Sequence, residues 1–448
     1  MDSTKQQFSP PPLVKGLPVL GSVAELSKDL IGLIVKQYQQ LGPIFRIRAL
    51  NQELIVLAGP EANIFVTTEG ADKFSSRETW TNFGLEFGTE SNIQNLDGLK
   101  HIELRKIMKR GYSASNLMSN IPQLVDIARN VLQRFEVGEE VVALQLIRLI
   151  VTEQLGVALT GHAPGADLES IIAFIRTALN VHVTKTTPAL MLKMPAYQKA
   201  RKRTLELGQE IIEEHRNTTR EKPDLIDDLL AASQKSELED VLGSKYQLGN
   251  AALGPFVAGL DTVSNECNFM LYALLNHPDV LKQCVEEADQ FFAEGTPRLE
   301  QIKSLGVLHH AMMETLRLYS IAPVVTRNAA KDFDFAGYHV EKGQPIIIAS
   351  TASHFLPTLF ADPYTFDITR YSEPRKEHKQ RGAYSPFGIG THLCLGAGAA
   401  EAQIVLVMTS LLHMVKLEQV PAKKKIKIKN DPTPTLGDTF HIRIVEQR

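Results

Sequence analysis

The sequence predicts a mainly α-helical fold with small antiparallel β-sheets, an α+β arrangement, on three observations. Residues from about 60 to 320 repeat apolar positions at helical spacing, interrupted by short polar or proline-containing loops. Short alternating segments lie before and after that stretch. No glycine- or serine-rich linker and no internal repeat divides the 448 residues, so one domain spanning 1–448 is expected. The composition, 44% hydrophobic and 22% charged with formal net charge −3, provides ample material for a core.

Residues 1–25 read as a lead-in stiffened by Pro10-Pro11-Pro12. Met1–Gln7 is polar and unlike a secretory signal. No run of about 18 apolar residues is evident, so the expectation is a cytoplasmic protein with no transmembrane anchor. Three unevenly scattered cysteines argue for a reducing compartment. Leu30–Gln40 is an amphipathic helix with Leu30, Leu33, Ile34 and Tyr38 on one face. Ile44–Ala49 and Leu54–Ala58 form a hairpin around Leu50-Asn51-Gln52-Glu53. Strands return at 323–327, 333–348 and 426–445, where Lys425–Lys429 alternates lysine with isoleucine. The five lysines between Lys423 and Lys429 read as a solvated edge strand that resists aggregation, not as a nucleic-acid surface.

The most specific chemistry lies in Ser385–Gly396. Gly388 and Gly390 free the backbone there, and an apolar, alanine-rich helix is expected from Leu395 onward. Cys394 then sits at or just before a helix N-terminus, where unpaired N–H groups and the dipole favour a thiolate. A phosphate loop is the competing use of such a segment. The dinucleotide pattern wants glycine where Leu393 stands, and no Gly-Lys-Ser/Thr is present. Zinc would want more than the one nearby His392. Cys267 and Cys284 fit ordinary helical patterns as small buried hydrophobes.

Phe387-Gly388-x-Gly390-x-His392-x-Cys394-x-Gly396 resembles the heme-binding signature of the cytochrome P450 family. The resemblance implies the cytochrome P450 fold over essentially the full length, of the soluble bacterial type. It implies that Cys394 is the axial ligand of heme b (iron protoporphyrin IX), with Phe387, Gly388 and Gly396 shaping the loop. His392 would contact a heme propionate. Thiolate ligation pushes electron density to iron and favours O–O cleavage.

Other constellations gain meaning beside that loop. Glu314 and Arg317 lie three apart on a helix, a spacing usually worth little at a surface. The resemblance implies a buried network of these two with Arg370, in Phe366–Tyr371. Asp261 and Thr262 follow Ala258 and Gly259 inside the apolar stretch from Asn250 to Leu275, where both polar groups need partners. Periodicity on both sides argues against a helix starting there. By resemblance, Thr262 steadies dioxygen at the iron, Asp261 relays protons and Gly259 opens a groove for dioxygen. Gly254-Pro255 should kink the helix just upstream. His101 and Arg105, one helical turn apart, and Arg327 are implied propionate partners. Lys100, Lys106, Lys109 and Arg110 share their helix, as either a docking surface for an acidic electron donor or a solvated face.

The expected activity is a monooxygenase reaction. One atom of dioxygen enters an apolar small molecule (fatty acid, terpenoid, steroid or polyketide), and the other leaves as water. Electrons would come from NAD(P)H through a separate ferredoxin or flavodoxin, and a monomer is expected. Pocket candidates are Trp80, Phe83 and Phe87 in a 77–96 loop, Phe174, Phe256, Ala258, Val325 within 321–325, and 435–440. A peroxide-driven peroxygenase or isomerase is the first rival, against which Asp261 and Thr262 argue. A heme-binding sensor or electron carrier is the second. A carrier would fill both axial positions, and a sensor usually comes with an output domain.

Overall fold

Alternating apolar residues build a sheet with two buried faces. Ile44–Ala49 pairs antiparallel with Gln52–Ala58, from Ile44 opposite Leu57 to Ala49 opposite Gln52, so the connecting turn is only Leu50-Asn51. Gln52–Ala58 continues in parallel onto Pro345–Ala349, which pairs antiparallel with Val325–Ala329, and that strand carries Phe74-Ser75 at the edge. Because strand side chains alternate, the faces receive different sets. Phe45, Ile47 and Val56 meet Leu33, Ile34 and Val35 of the Leu30–Leu41 helix. Ile44, Ile55, Leu57 and Ile348 meet Phe65 and Val66 of the Gly59–Thr67 helix.

The computed structural model describes residues 9–17, 21–218, 220, 222–293, 295 and 299–448. The reading of Met1–Gln7 lies outside them. Contacts group the chain into two units. The first takes the described residues of 1–79 with 94–98 and 322–394; the second takes 80–93, the described residues of 99–321, and 395–448. The sheet above belongs to the first unit, together with a small hairpin, Phe333–Phe335 with Tyr338–Val340. The short strands expected within 333–348, with a turn inside Phe333–Tyr338, are three, divided by turns at Ala336-Gly337 and before Pro345.

In the second unit, buried helices pack on one another. Ala143–Thr160, Thr262–Asn276, Gly306–Leu318 and Ala397–Met414 form its centre. Two of these, Ala143–Thr160 and Ala397–Met414, are long and apolar enough to cross a membrane, which corrects the expectation that no such run exists. Both are mostly buried within protein, as core helices are. Glu140–Val142, His441–Gln447 and Val415–Val420 make an antiparallel three-stranded sheet beside them. Val415–Val420 follows its helix directly and was not anticipated. Lys425–Ile428 is not a strand, contrary to the alternation; only Lys429-Asn430 pairs, with Pro434-Thr435. His441–Gln447 takes the edge of Val415–Val420 instead, and a segment with five lysines buries no face.

Candidate heme-thiolate site

Cys394 is the exposed cysteine, at the end of a loop held by the first unit. Its N–H donates to Phe387 O at 2.9 Å, which closes the loop on itself. Gly388 and Gly390 have φ of 77° and 73°, in the left-handed region. A side chain at Gly388 would meet nothing within 4 Å, whereas at Gly390 it would press on Val66 O at 3.2 Å. The loop base is pinned by Ser385, whose Oγ donates to Ser350 O at 2.9 Å and whose N–H donates to His354 Nε2 at 2.9 Å. Asn63 of the Gly59–Thr67 helix donates to both Ser350 O and Gly382 O, at 2.8 and 2.9 Å. The following helix begins at Ala397 with Gly396 as its N-cap, so the expectation of helix from Leu395 is corrected by two residues. Gly396 packs near the Tyr112 ring, at an ordinary 3.4 Å from where its side chain would be.

Charge near the loop is organised by a residue the sequence reading missed, Asp97. His392 Nε2 lies 2.9 Å from Asp97 Oδ1 and 3.3 Å from Ser76 Oγ. The hydroxyls of Ser75 and Ser76 and the Ser76 N–H also donate to this carboxylate. Burial works against the charge, but hydrogen bonds from His392 and Ser75 outweigh it and hold Asp97 below the usual carboxylate range. Nε2 of His392, expected on a propionate, is thus taken by Asp97. Arg327 is half-buried, and desolvation brings its pKa down to about 10 against the attraction of Asp97. Its Nη1 donates to Thr326 O at 2.8 Å. A partly desolvated guanidinium with five donors suits an anionic partner.

The acid–alcohol pair lies in the second unit, on a helix in three pieces. Lys245–Ala252 ends at Leu253, and Gly254–Gly259 begins with Pro255 in its first turn, the expected kink. A second interruption falls at Leu260-Asp261, and Thr262–Asn276 follows. A helix does start at Thr262, then, contrary to the expectation from periodicity. Asp261 nonetheless keeps right-handed helical dihedrals and caps nothing. Its Oδ1 instead accepts from Arg148 Nη2 at 2.9 Å, with Arg176 Nη1 at 3.7 Å. Thr262 Oγ1 donates to Ala258 O at 2.5 Å across the interruption. Ala258 is exposed and Thr262 half-buried, so one face of this otherwise buried helix is open. A side chain at Gly259 would strike Leu155 Cδ1 at 2.5 Å, so its smallness also serves helix packing.

His101 and Arg105 share one face of Gly98–Met108, with His101 buried and Arg105 half-buried. The helix ends at Met108, so Lys109 and Arg110, expected on it, lie just beyond; Lys100 pairs with Asp240, and Arg110 Nη2 with Asp228 at 2.7 Å, which leaves the basic surface less available than its sequence implied. Glu314 and Arg317 form a two-point pair, Nε to Oε2 and Nη2 to Oε1 at 2.8 Å each, with neither side chain exposed. Arg370 is fully buried, on Asp362 O, Thr365 O and Glu377. The expected 77–96 loop is largely the helix Arg77–Glu86. Trp80, Phe83 and Phe87 stand at helical spacing and run in edge and tilted contacts to Phe174 and Tyr197. Phe83, Phe87, Phe174 and Phe256 are buried in packing, and Val325 is half-buried.

The residues fit an iron porphyrin. An exposed thiol heads an open glycine loop, and a partly desolvated guanidinium lies in the same unit. The pattern of the family described as Cytochrome P450 matches residues 10–439. A putative cytochrome P450 136 of Mycobacterium tuberculosis is 25% identical, covering 90% of this chain and 82% of its own. A sterol 14alpha-demethylase of Mycolicibacterium vanbaalenii is 25% identical over 89% of each. The fold matches a retinoic acid bound cyanobacterial CYP120A1 with TM-score 0.82 at 23% identity, covering 98% of this chain and 99% of that one.

Proposed function

Starting from the chain's membership of the cytochrome P450 family, and so from a cytochrome P450 monooxygenase, we propose that Cys394 binds the heme iron as thiolate and that Asp261 and Thr262 manage protons for oxygen insertion into an apolar small molecule. The observation that carries this is the exposed thiol of Cys394, at the end of the Phe387–Cys394 loop that its backbone N–H closes. Heme, when bound, supplies the redox chemistry by which dioxygen is cleaved. Arg327, Arg105, His101 and His392 answer its carboxylates, with Asp97 setting the orientation of His392. Phe387, Gly388 and Gly396 shape the loop around the thiolate, and Glu314, Arg317 and Arg370 brace the fold. Electrons come through a separate ferredoxin or flavodoxin type of partner. The sterol acted on by the Mycolicibacterium relative supports an apolar substrate class here.

Thr262 Oγ1 is fixed by Ala258 O, which leaves its lone pairs toward the open face. Asp261 Oδ2 is buried and has no protein partner among the described residues, while Oδ1 is held by Arg148. One oxygen is therefore anchored and the other available to a proton-carrying water. Thr262→Ala is expected to leave heme binding and electron uptake intact but to cut product per electron several-fold. Product and peroxide measured against NAD(P)H consumed check this, and full coupling in the variant would remove Thr262 from the reading.

Asp97 makes a second check with a pH dependence. Its carboxyl is depressed in the folded protein, so its contribution to stability is present above the ordinary carboxylate pKa of about 3.9. That contribution is lost as pH falls through the depressed value. Asp97→Asn is expected to flatten the acid limb of unfolding free energy against pH, and to speed heme loss at neutral pH as His392 loses its partner. An acid limb and a heme-loss rate like the parent's would count against the role.

A further inference from the structure

Three residues descend one face of the central helix at four-residue spacing. Ala258 is exposed, Thr262 is half-buried and Glu266 is 2% exposed. Residues so spaced lie one above the other, with Cβ atoms about 6 Å apart. The face thus runs from open space past the Thr262 hydroxyl to an enclosed carboxyl. Neither Glu266 oxygen has a hydrogen-bond partner among the described residues. The same holds for Ser264 Oγ, Asn265 Oδ1 and both polar atoms of Asn268 on the flank of the same helix. Six enclosed polar atoms within five residues are costly if dry, because each loses water without replacement. Proteins meet such a cost with ordered water.

We propose that ordered water lies beside this helix between Thr262 and Glu266, and that Glu266 is a proton reserve for the Thr262 hydroxyl. This rests on the reading of Thr262 given above. Burial alone pushes the Glu266 carboxyl well above its usual range, which favours the protonated form that a reserve needs. Asp261 is tied to Arg148 and is the poorer reserve. In the transfer, the Glu266 O–H bond breaks and its proton passes to the bridging water. The Thr262 hydroxyl turns its proton from Ala258 O to the open face and releases it there, while the water gives one of its own to Thr262 Oγ1. The carboxylate left behind regains a proton from bulk solvent, relayed through the same water, between turnovers. Glu266 acts through Thr262, so it is a positioning and relay residue and touches no substrate.

The test uses the heme-loaded protein with Glu266→Gln, Glu266→Asp and Thr262→Ala. Infrared difference spectra of the resting parent are expected to show a protonated carboxyl C=O band that disappears in Glu266→Gln. Product per electron should fall several-fold in Glu266→Gln and recover in part in Glu266→Asp, with a larger solvent isotope effect on product formation and an unchanged substrate-induced heme shift. Absence of the band, or a Glu266→Gln variant with parental coupling and isotope effect, overturns the inference. If Thr262→Ala uncouples while Glu266→Gln does not, only this inference fails. If Thr262→Ala stays coupled, the reading of Thr262 fails first. Should Glu266→Gln not load heme, the band in the parent still decides: a shared water makes it shift in Thr262→Ala, and an unmoved band overturns the proposal.

Discussion

Cys394→Ala is expected to fold, bind heme weakly and show no red-shifted carbon monoxide band on reduction, with monooxygenase turnover at background. The backbone has little reason to change. The loop is closed by the Cys394 N–H to Phe387 O, and its base is held by Ser385, Ser350 and Asn63, none of which uses the thiol. Substitutions at exposed positions usually shift stability by about 0.5 kcal/mol or less. The lost function is then chemical: no other cysteine can take over. Cys267 is buried and its thiol is pushed far up by burial. Cys284 is pushed up to about 12 by burial and Glu287. Neither reaches the thiolate form that ligates a metal. The carbon monoxide difference spectrum decides the matter, and a red-shifted band surviving in Cys394→Ala would assign the ligand elsewhere.

What the sequence made legible follows from how local each constraint is. The Cys394 loop was readable because ten consecutive residues carry the thiol, the left-handed glycines and the helix start together. Leu30–Leu41 and the Ile44–Ala58 hairpin were readable because one period of burial governs each. Asp97 was not, since its meaning comes from Ser76 and from His392, almost 300 positions away. Arg148 and Glu266 were readable in principle: each is a charge inside an apolar helix, where it must find a partner or a proton. The lysine alternation misled because period two fixes only which way side chains would point. A strand also needs a face to bury, and Lys425–Ile428 is exposed at nearly every position. The interruption at Leu260-Asp261 left no periodic trace, because the dihedrals stay right-handed through it.

Glu314→Ala is expected to be the most damaging single change to folding. Glu314 and Arg317 are wholly enclosed in the Gly306–Leu318 helix and meet through two parallel hydrogen bonds of 2.8 Å. The substitution leaves the Arg317 guanidinium charged in the interior without the two Glu314 acceptors. Breaking a buried pair in this way costs about 3–5 kcal/mol, a large share of the roughly 5–15 kcal/mol that holds a protein folded. Glu314→Gln keeps shape and one acceptor, so it should lose less. Replacing both residues by methionine distinguishes two accounts. If the pair only satisfies itself, apolar replacement is close to neutral, because the desolvation cost disappears with the charges. Both side chains carry interactions beyond each other, however, and those partners would be left unanswered by methionine. The double variant is therefore expected to remain well below the parent in thermal midpoint and in heme content per chain. Recovery of both to parental values would reduce Glu314 and Arg317 to an isolated ion pair with no wider bracing role.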